Sequence, residues 1–328
     1  MIEDSPTQNA LSTFVGSFLF SLVGIIILST GAYGAQGRVV LFGATILVIA
    51  FVVVTLLRWM DHLSRLGRVA ETTERVEHAT AKAMRQRHRS PHLGGNGLDE
   101  TAKIPAEAKP VPCKSIGYIQ HVDTKALSAL IKDQVGAIYL AAIPGDFVYL
   151  GTCLASFTGP AQDDMDEAVR GCFSIADTRS FDQDPRFGAS VLAEIASRAL
   201  SPAINDPGTA IDVIGRAVRI MAIWSEPVEL EAPSYPKIFV PSLDTGDLFD
   251  DLFTPIARDG ASMVEIGLRL QKAFLALIEM DAALFGAHAL KHSQLALERS
   301  RAGLVLGHDI DRVMAAAASV SMSVSSIR

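Results

Sequence analysis

Two runs without a charged side chain, Leu11 to Thr30 and Val39 to Leu57, limit what this chain can fold into more than any other feature. Each holds about 20 residues, and a helix of that length at 1.5 Å per residue covers about 30 Å, the hydrocarbon thickness of a bilayer. Residues 31–38, "GAYGAQGR", suit a tight polar turn between them. The reading is a transmembrane helical hairpin within residues 1–60, with spans at 11–30 and 39–57. A secretory signal would open on a basic segment, whereas "MIEDSPTQNA" carries Glu3 and Asp4 and neither Lys nor Arg. Arg58, Arg65, Arg68 and Arg75 follow the second run, while the loop offers only Arg38, so the positive-inside rule puts both termini in the cytoplasm.

Small residues at spacings of three and four, Ser12 and Gly16, then Ser17, Ser21 and Gly24, make packing faces on the first span, within the hairpin or between subunits. No ionisable group lies inside either span, which favours a packed anchor over a proton relay. Beyond Arg58 the periodicity continues through Leu63, Leu66, Val69, Val76 and Met84, interrupted only by Gly67. This predicts one long helix from residue 39 to about 87, its cytoplasmic part at 61–87 offering a seam for another helix, and homo-oligomerisation is the physical expectation. Residues 88–112, rich in Gly, Pro and charge, read as a linker. The basic start of this stretch, from Arg85 on, suits anionic headgroups; His88 and His92 read as solvated, and "GGNG" as no nucleotide cradle.

From Ser115 the period shortens. "SIGYIQHV" and "GAIYLAAI" read as strands around a short helix at 124–134, and "PGDFVYLGTCLASF" as a turn followed by two strands, giving a small β module over 113–160. Gly145, Asp146, Val148, Gly151 and Leu154 resemble the rhythm of the barrel-sandwich of lipoyl and biotinyl domains. The carrier lysine is missing, since Lys125 and Lys132 fall on the helix, so no swinging-arm cofactor is expected. Residues 161–240 are read as mainly helical, with acids "DDMDE" near one start and Asp184–Pro185 and Asp206–Pro207 as caps of two further helices. Residues 241–328 supply helices at 247–258, 262–281, 283–305 and 308–318, with a frayed tail from Ala315. The fold class is thus a membrane α-helical hairpin plus a cytoplasmic α+β domain.

The net charge of −7 excludes the basic face that nucleic acid requires. Cys113, Cys153 and Cys172 are too few and too far apart for a disulfide framework or zinc knuckle, and fit a reducing compartment. No nucleophile elbow, phosphate loop or metalloprotease motif occurs. His288 and His292 have metal-ligand spacing without a third ligand, and read as two exposed histidines on a polar helix face. Asp182, Asp184 and Asp206 could in principle gather a divalent cation, but capping accounts for two of them. No catalytic residue, metal or cofactor is assigned.

One connector, "RALSPAINDPGTA" (198–210), stands between two helices. Ser201 before Pro202 stops the first helix near Leu200, and Asp206 caps the second. As structure it is a rigid corner. As a site, free N–H groups at Gly208 and Thr209, with Arg198 and Arg179 nearby, would hold an anion. The candidate ligand or corner residues are therefore Arg179, Asp184, Glu194, Arg198, Ser201, Asn205, Asp206 and Thr209, with Glu194 and Arg198 four apart and suited to an ion pair.

"TRSFDQDPRFGASVLAEIASRALSPAINDPGTA" resembles the signature of the bacterial predicted membrane proteins called domain of unknown function 2254. The resemblance extends to "TQNALSTFVGSFLF", "DHLSRLGRVAETTERVE", "GYIQHVD", "PGDFVYLGTCLA" and "LFTPIARDGA", nearly the whole chain. It implies an integral protein of the bacterial inner membrane with a cytoplasmic domain, and no reaction. It also implies further spans before Met1, and Ala203 stands where Gly is commoner. Three functions are weighed: an oligomer whose cytoplasmic domain senses or gates, for instance around an ion path; a membrane-anchored scaffold for a protein partner; and a surface enzyme working through Arg179, Asp184, Asn205 and Asp206. The first is favoured, with its ligand or protein partner left open.

Overall fold

The computed structural model describes residues 5–29, 35–66, 69–98, 104–132, 135–159, 164–228 and 232–325. The anticipated loop at 31–34, the breaker Gly67, the linker's residues 99–103, Asp163 of the acidic block and the chain end at 326–328 lie outside them.

The chain divides into two units, residues 1–72 and 73–328. In the first, α1 (Ser5–Ser29) and α2 (Ala35–Leu66) are helices. Among the described residues one stretch is long and apolar enough to cross a bilayer, Val39–Met60, 22 residues with no buried side chain in its apolar window. Leu11–Ile26 is apolar but shorter. Two equivalent spans are therefore not borne out: among the described residues there is one full-length apolar helix and one short apolar stretch. Ser12, Gly16 and Ser17 share a cleft with Val48, Phe51 and Val52. A β-carbon at Gly16 or Gly24 would meet nothing within 4 Å, so neither marks a close helix approach within one copy.

The predicted single helix of 39–87 is described as α2 and α3 (Val69–Arg89), with residues 67–68 between them outside the description. In the second unit α3 buries Thr73, Thr80, Ala83, Met84 and Arg87, a face repeating every seven residues. The segment read as a linker holds β1 (Gly95–Leu98) and β2 (Lys109–Pro112). The glycines of "GGNG" thus enter a strand, and the two histidines are not solvated. His88 Nε2 is 2.6 Å from Glu226 O, and His92 Nδ1 is 3.1 Å from Val240 O.

The remaining elements are β3 (Gly117–Val122), α4 (Thr124–Leu130), β4 (Ile138–Leu140), β5 (Phe147–Val148), β6 (Cys153–Phe157), α5 (Met165–Gly171), β7 (Phe173–Ala176), α6 (Pro185–Ala199), α7 (Pro207–Trp224), β8 (Tyr235–Pro241), α8 (Thr245–Asp259), α9 (Val264–Met280), α10 (Ala282–Gly303) and α11 (Gly307–Ser325). The strand positions read between residues 115 and 157 hold. The barrel-sandwich does not appear: the strands form a mixed sheet in the order β1-β8-β4-β6-β2 and a smaller antiparallel sheet β5-β3-β7. The reason is long-range. β8 enters from beyond α7 and pairs in parallel with both β1 and β4, while β5 pairs with β3.

Two apolar cores result. One joins the sheets through Ile119, Leu140, Val148, Leu154, Ile238 and Val240. The other is helical and centres on Phe249, whose ring lies 5.4 Å from Phe253, 6.4 Å from Phe274 and 6.1 Å from Phe285. Ring pairs at these separations contribute about 0.5–1.5 kcal/mol each beyond their burial. α10 starts where α9 ends because Asp281 accepts from Leu284 N at 3.0 Å. The tail from Ala315 is helical through Ser325, with Ala317 and Val320 buried; the end expected to fray lies outside the described residues.

His292, read as exposed, is 3% exposed between Phe249 and Phe274. His288 stacks on Phe249 at 5.8 Å. Burial lowers the His292 imidazole from 6.5 to about 4, although Asp250 Oδ1 lies 3.2 Å from its Nε2 without hydrogen-bond alignment. Between pH 6.5 and 4 the unfolded chain therefore binds a proton that the folded one refuses. The stability is fully present above 6.5 and is lost as the pH falls through that window. We expect the Tm to drop on acidification over this range by the equivalent of on the order of 2 kcal/mol. In His292→Gln the slope of Tm against pH should be shallower over the same interval.

Candidate functional site

The segment Asp177–Gly188, between β7 and the first turns of α6, carries the buried carboxylate of Asp184 and the half-buried Arg179 and Arg186. Asp184 caps α6 by accepting from Phe187 N at 3.0 Å, and Pro185 occupies the first helical position. The same carboxylate is 1% exposed and receives both arms of Arg179, Nε at 2.8 Å and a terminal nitrogen at 3.0 Å. Such a fork is the strongest pairing available to a buried carboxylate. Arg179 in turn lies over the Phe187 ring, 5.5 Å from its centroid.

Each neighbour ties a different element to this point. Asp182 meets His121 Nδ1 at 2.8 Å, and Gln183 Oε1 accepts from Val122 N at 2.9 Å, so both hold β3. Arg186 reaches α8 through Asp247 and through Asp251 at 2.7 Å. At the Pro144–Asp146 turn, Gly145 has φ +101°, and a β-carbon there would lie 2.6 Å from Asp184 Oδ2. Only glycine allows the turn to close over the carboxylate. Asp146 beside it is raised above the usual carboxylate range by burial, against the bond it accepts from Ile143 N–H. A β-carbon at Gly188 would overlap Thr80 Oγ1 of α3. Glu77 adds ion pairs from α3 to Arg216 at 2.5 Å and Arg219 at 2.6 Å on α7.

Arg87 of α3 stands at the end of the predicted helix, where sequence reading gave it no role. It is 4% exposed, with one bond to Pro241 O at 3.3 Å and a buried Nε without an acceptor. Burial lowers it to about 10, and the charge of Asp184 opposes that shift. Its signal was present: Thr73, Thr80 and Arg87 stand seven apart, on the buried face of the helix.

The other end of α6 is built differently. Ile204 N and Asn205 N both bond to Ser201 O, at 3.0 and 2.9 Å, and Asp206 N bonds to Ala199 O at 2.8 Å. Ser201 Oγ donates to Arg198 O at 2.7 Å. Asn205 has φ +50°, a left-handed conformation that asparagine tolerates better than most residues. Asp206 accepts from Thr209 N at 3.1 Å and from Thr209 Oγ1 at 2.6 Å, and these bonds hold its carboxyl below the usual range. The N–H group expected to await an anion is thus used by Asp206. Among the described residues Glu194 and Arg198 are exposed and form no ion pair with each other, contrary to expectation.

The candidate residues therefore fall into two groups: Arg179 with Asp184, and Ser201, Asn205, Asp206 and Thr209. The 15 residues of α6 separate them, about 22 Å at 1.5 Å per residue. Asp184 and Asp206 cannot share a ligand across that length, and among the described residues no group of three His, Cys, Asp or Glu side chains is placed to hold a metal.

The family model of a predicted membrane protein, DUF2254, matches residues 1–276. The chain belongs to that family. Three mycobacterial proteins are similar to this DUF2254 chain, each 29% identical over 223 residues: the uncharacterised proteins Mb1321c of Mycobacterium bovis, and Rv1290c and MT1328 of Mycobacterium tuberculosis. The aligned region takes in 65% of this chain but 42% of those relatives, so the chain spans less than half their length. No solved structure matches it.

Asn caps a helix as well as Asp does, so Asp184→Asn removes the charge and keeps the cap. It should cost about 3 kcal/mol, the low end for a broken buried pair because Arg179 is only half-buried, and the loss is read from denaturant unfolding. Gly188→Ala should cost about 1–3 kcal/mol by overpacking against Thr80. At the corner, Asn205→Gly should leave Tm near the wild-type value. Asn205→Val should lower stability by about 1–2 kcal/mol, the strain of a branched residue in the left-handed region.

Proposed function

We propose that this protein is a multi-pass homo-oligomer of the bacterial inner membrane whose second unit lies in the cytoplasm and senses or gates, acting without catalysis on a path between the membrane helices of several copies. The observation that carries this reading is the anchorage of α3. From Thr73 on, that helix is part of the second unit, held by Glu77, Thr80 and Arg87, and it begins at Val69, directly after the end of the apolar helix at Leu66. A change in the network around Asp184 would therefore act on a helix chain-linked to the membrane segment. Arg58, with Arg65 and Arg68, supports the cytoplasmic orientation through the positive-inside rule.

Support for self-association comes from α1. A β-carbon at Gly16 or Gly24 would meet no atom of the described residues within 4 Å, and small residues of this kind let a helix from a second copy approach closely. Replacing Gly16 and Gly24 together by Leu should shift cross-linked species toward the single chain and leave unfolding of the second unit unchanged. Proteoliposomes of the wild type should pass small ions, and Glu77→Gln, which loosens α3 from α7, should change that flux by severalfold. A stable oligomer with no flux under any ionic condition would count against gating.

The scaffold alternative has one observation in its favour. Ile116, Phe147, Tyr149 and Leu150 are exposed side by side where β3 and β5 pair, an apolar patch suited to a protein partner.

A further inference from the structure

The basic residues of α3 sit in two environments. His78, Lys82, Arg85 and Arg89 recur at helical spacing along an open cleft, and none of the four has an ion-pair partner among the described residues. Arg87 points the other way, 4% exposed, and lines a cavity of about 120 Å³ with Gln86, Ser90 and Gln183. Gln86 and Ser90 also line the outer cleft, so the two spaces share a wall.

Charge matching in the inner cavity is incomplete. Asp184, whose field Arg87 feels, already accepts from Arg179 twice and from Phe187 N. The Arg87 Nε has no acceptor at all. A buried guanidinium needs both hydrogen-bond acceptors and negative charge. Water supplies only the first. An oxyanion supplies both, and the cavity wall adds the Ser90 hydroxyl, the Gln86 carboxamide and the second N–H of Gln183, whose amide otherwise bonds to Val122, with no carboxylate among them.

We propose that Arg87, with Gln86, Ser90 and Gln183, forms the inner end of a binding site for a phosphate monoester, and that His78, Lys82, Arg85 and Arg89 form its cationic mouth. The monoester is carried by an anionic lipid headgroup or by a soluble phosphate ester; both present the same dianion to the site. The inference deepens the sensing reading by giving the second unit a ligand class. Its test reads binding rather than flux, so either can fail without the other.

The full chain in neutral detergent is titrated with inorganic phosphate at constant ionic strength, chloride serving as the control, and followed by thermal unfolding and calorimetry. In a second arm it is placed in nanodiscs of phosphatidylcholine, alone or with one part in five phosphatidic acid. A saturable rise in Tm with phosphate assigns a soluble ester, and a rise confined to phosphatidic acid assigns the lipid. In either case Arg87→Met should weaken the response by at least about tenfold, as expected for loss of a bidentate charged contact. The triple variant Lys82→Gln, Arg85→Gln, Arg89→Gln should weaken it severalfold and reduce its salt dependence. Those three side chains are exposed, so the triple variant decides the matter if Arg87→Met does not fold. Absence of a saturable response to both probes overturns the proposal, as does a response of equal strength in the variants.

Discussion

A carboxylate that is 1% exposed has to be matched where it lies, and the matching of Asp184 organises the second unit. Desolvating such a group costs several kcal/mol, which is recovered only by good geometry. Here it is met by the two arms of Arg179 and by the first turn of α6. These groups come from the exit of β7 and the start of α6, and the Gly145 turn closes over the same oxygens. The exit of β7, the start of α6 and the Gly145 turn are thus joined at a charge. A charged junction has few acceptable geometries, whereas apolar faces can slide.

The residues flanking Asp184 extend that constraint in both directions. Gln183 holds β3 by its backbone, and Arg186 holds α8 by two carboxylates. Gly188 lets α3 approach at Thr80, and Glu77 fastens α3 to α7. The helix that follows the apolar span is therefore integrated into the body from Thr73 onward, with its seam facing inward. That seam satisfies itself within one chain, so the case for self-association rests on the small-residue face of α1.

What could be read from the sequence was local. Asp184–Pro185 and Asp206–Pro207 start helices where a cap and a fixed dihedral say they should, and the strands near residues 117–157 follow from alternation. What could not be read was non-local. β8 lies between β1 and β4 because a segment beyond α7 returns to the sheet, and no spacing within 88–160 announces it. It also makes a strand of Gly95–Leu98 in the supposed linker. His292 looked like a surface residue because Lys291 adjoins it; the aromatic rings that bury it come from α8 and α9. Glu194 and Arg198 have the right separation for a pair, yet both stay exposed, where the gain of pairing is small.

The signature that carries the family resemblance runs from Thr178 to Ala210, but its two ends have different physical roles. At the C-terminal end the described backbone bonds donated from Leu200 to Asp206 all stay between Ala196 and Asp206, and the side chains from Pro202 to Asp206 are exposed. A closed, self-satisfied loop has little left to offer a ligand. At the N-terminal end the balance is different. Two buried or half-buried guanidinium groups, Arg87 and Arg179, share the field of one carboxylate, and only Arg179 takes its oxygens. Arg87 keeps a buried Nε without an acceptor, borders a cavity, and sits on the helix that follows the apolar span in the chain. Chemistry in this chain is therefore better sought at the start of α6 and on α3 than at the proline-rich corner that first draws the eye in the sequence.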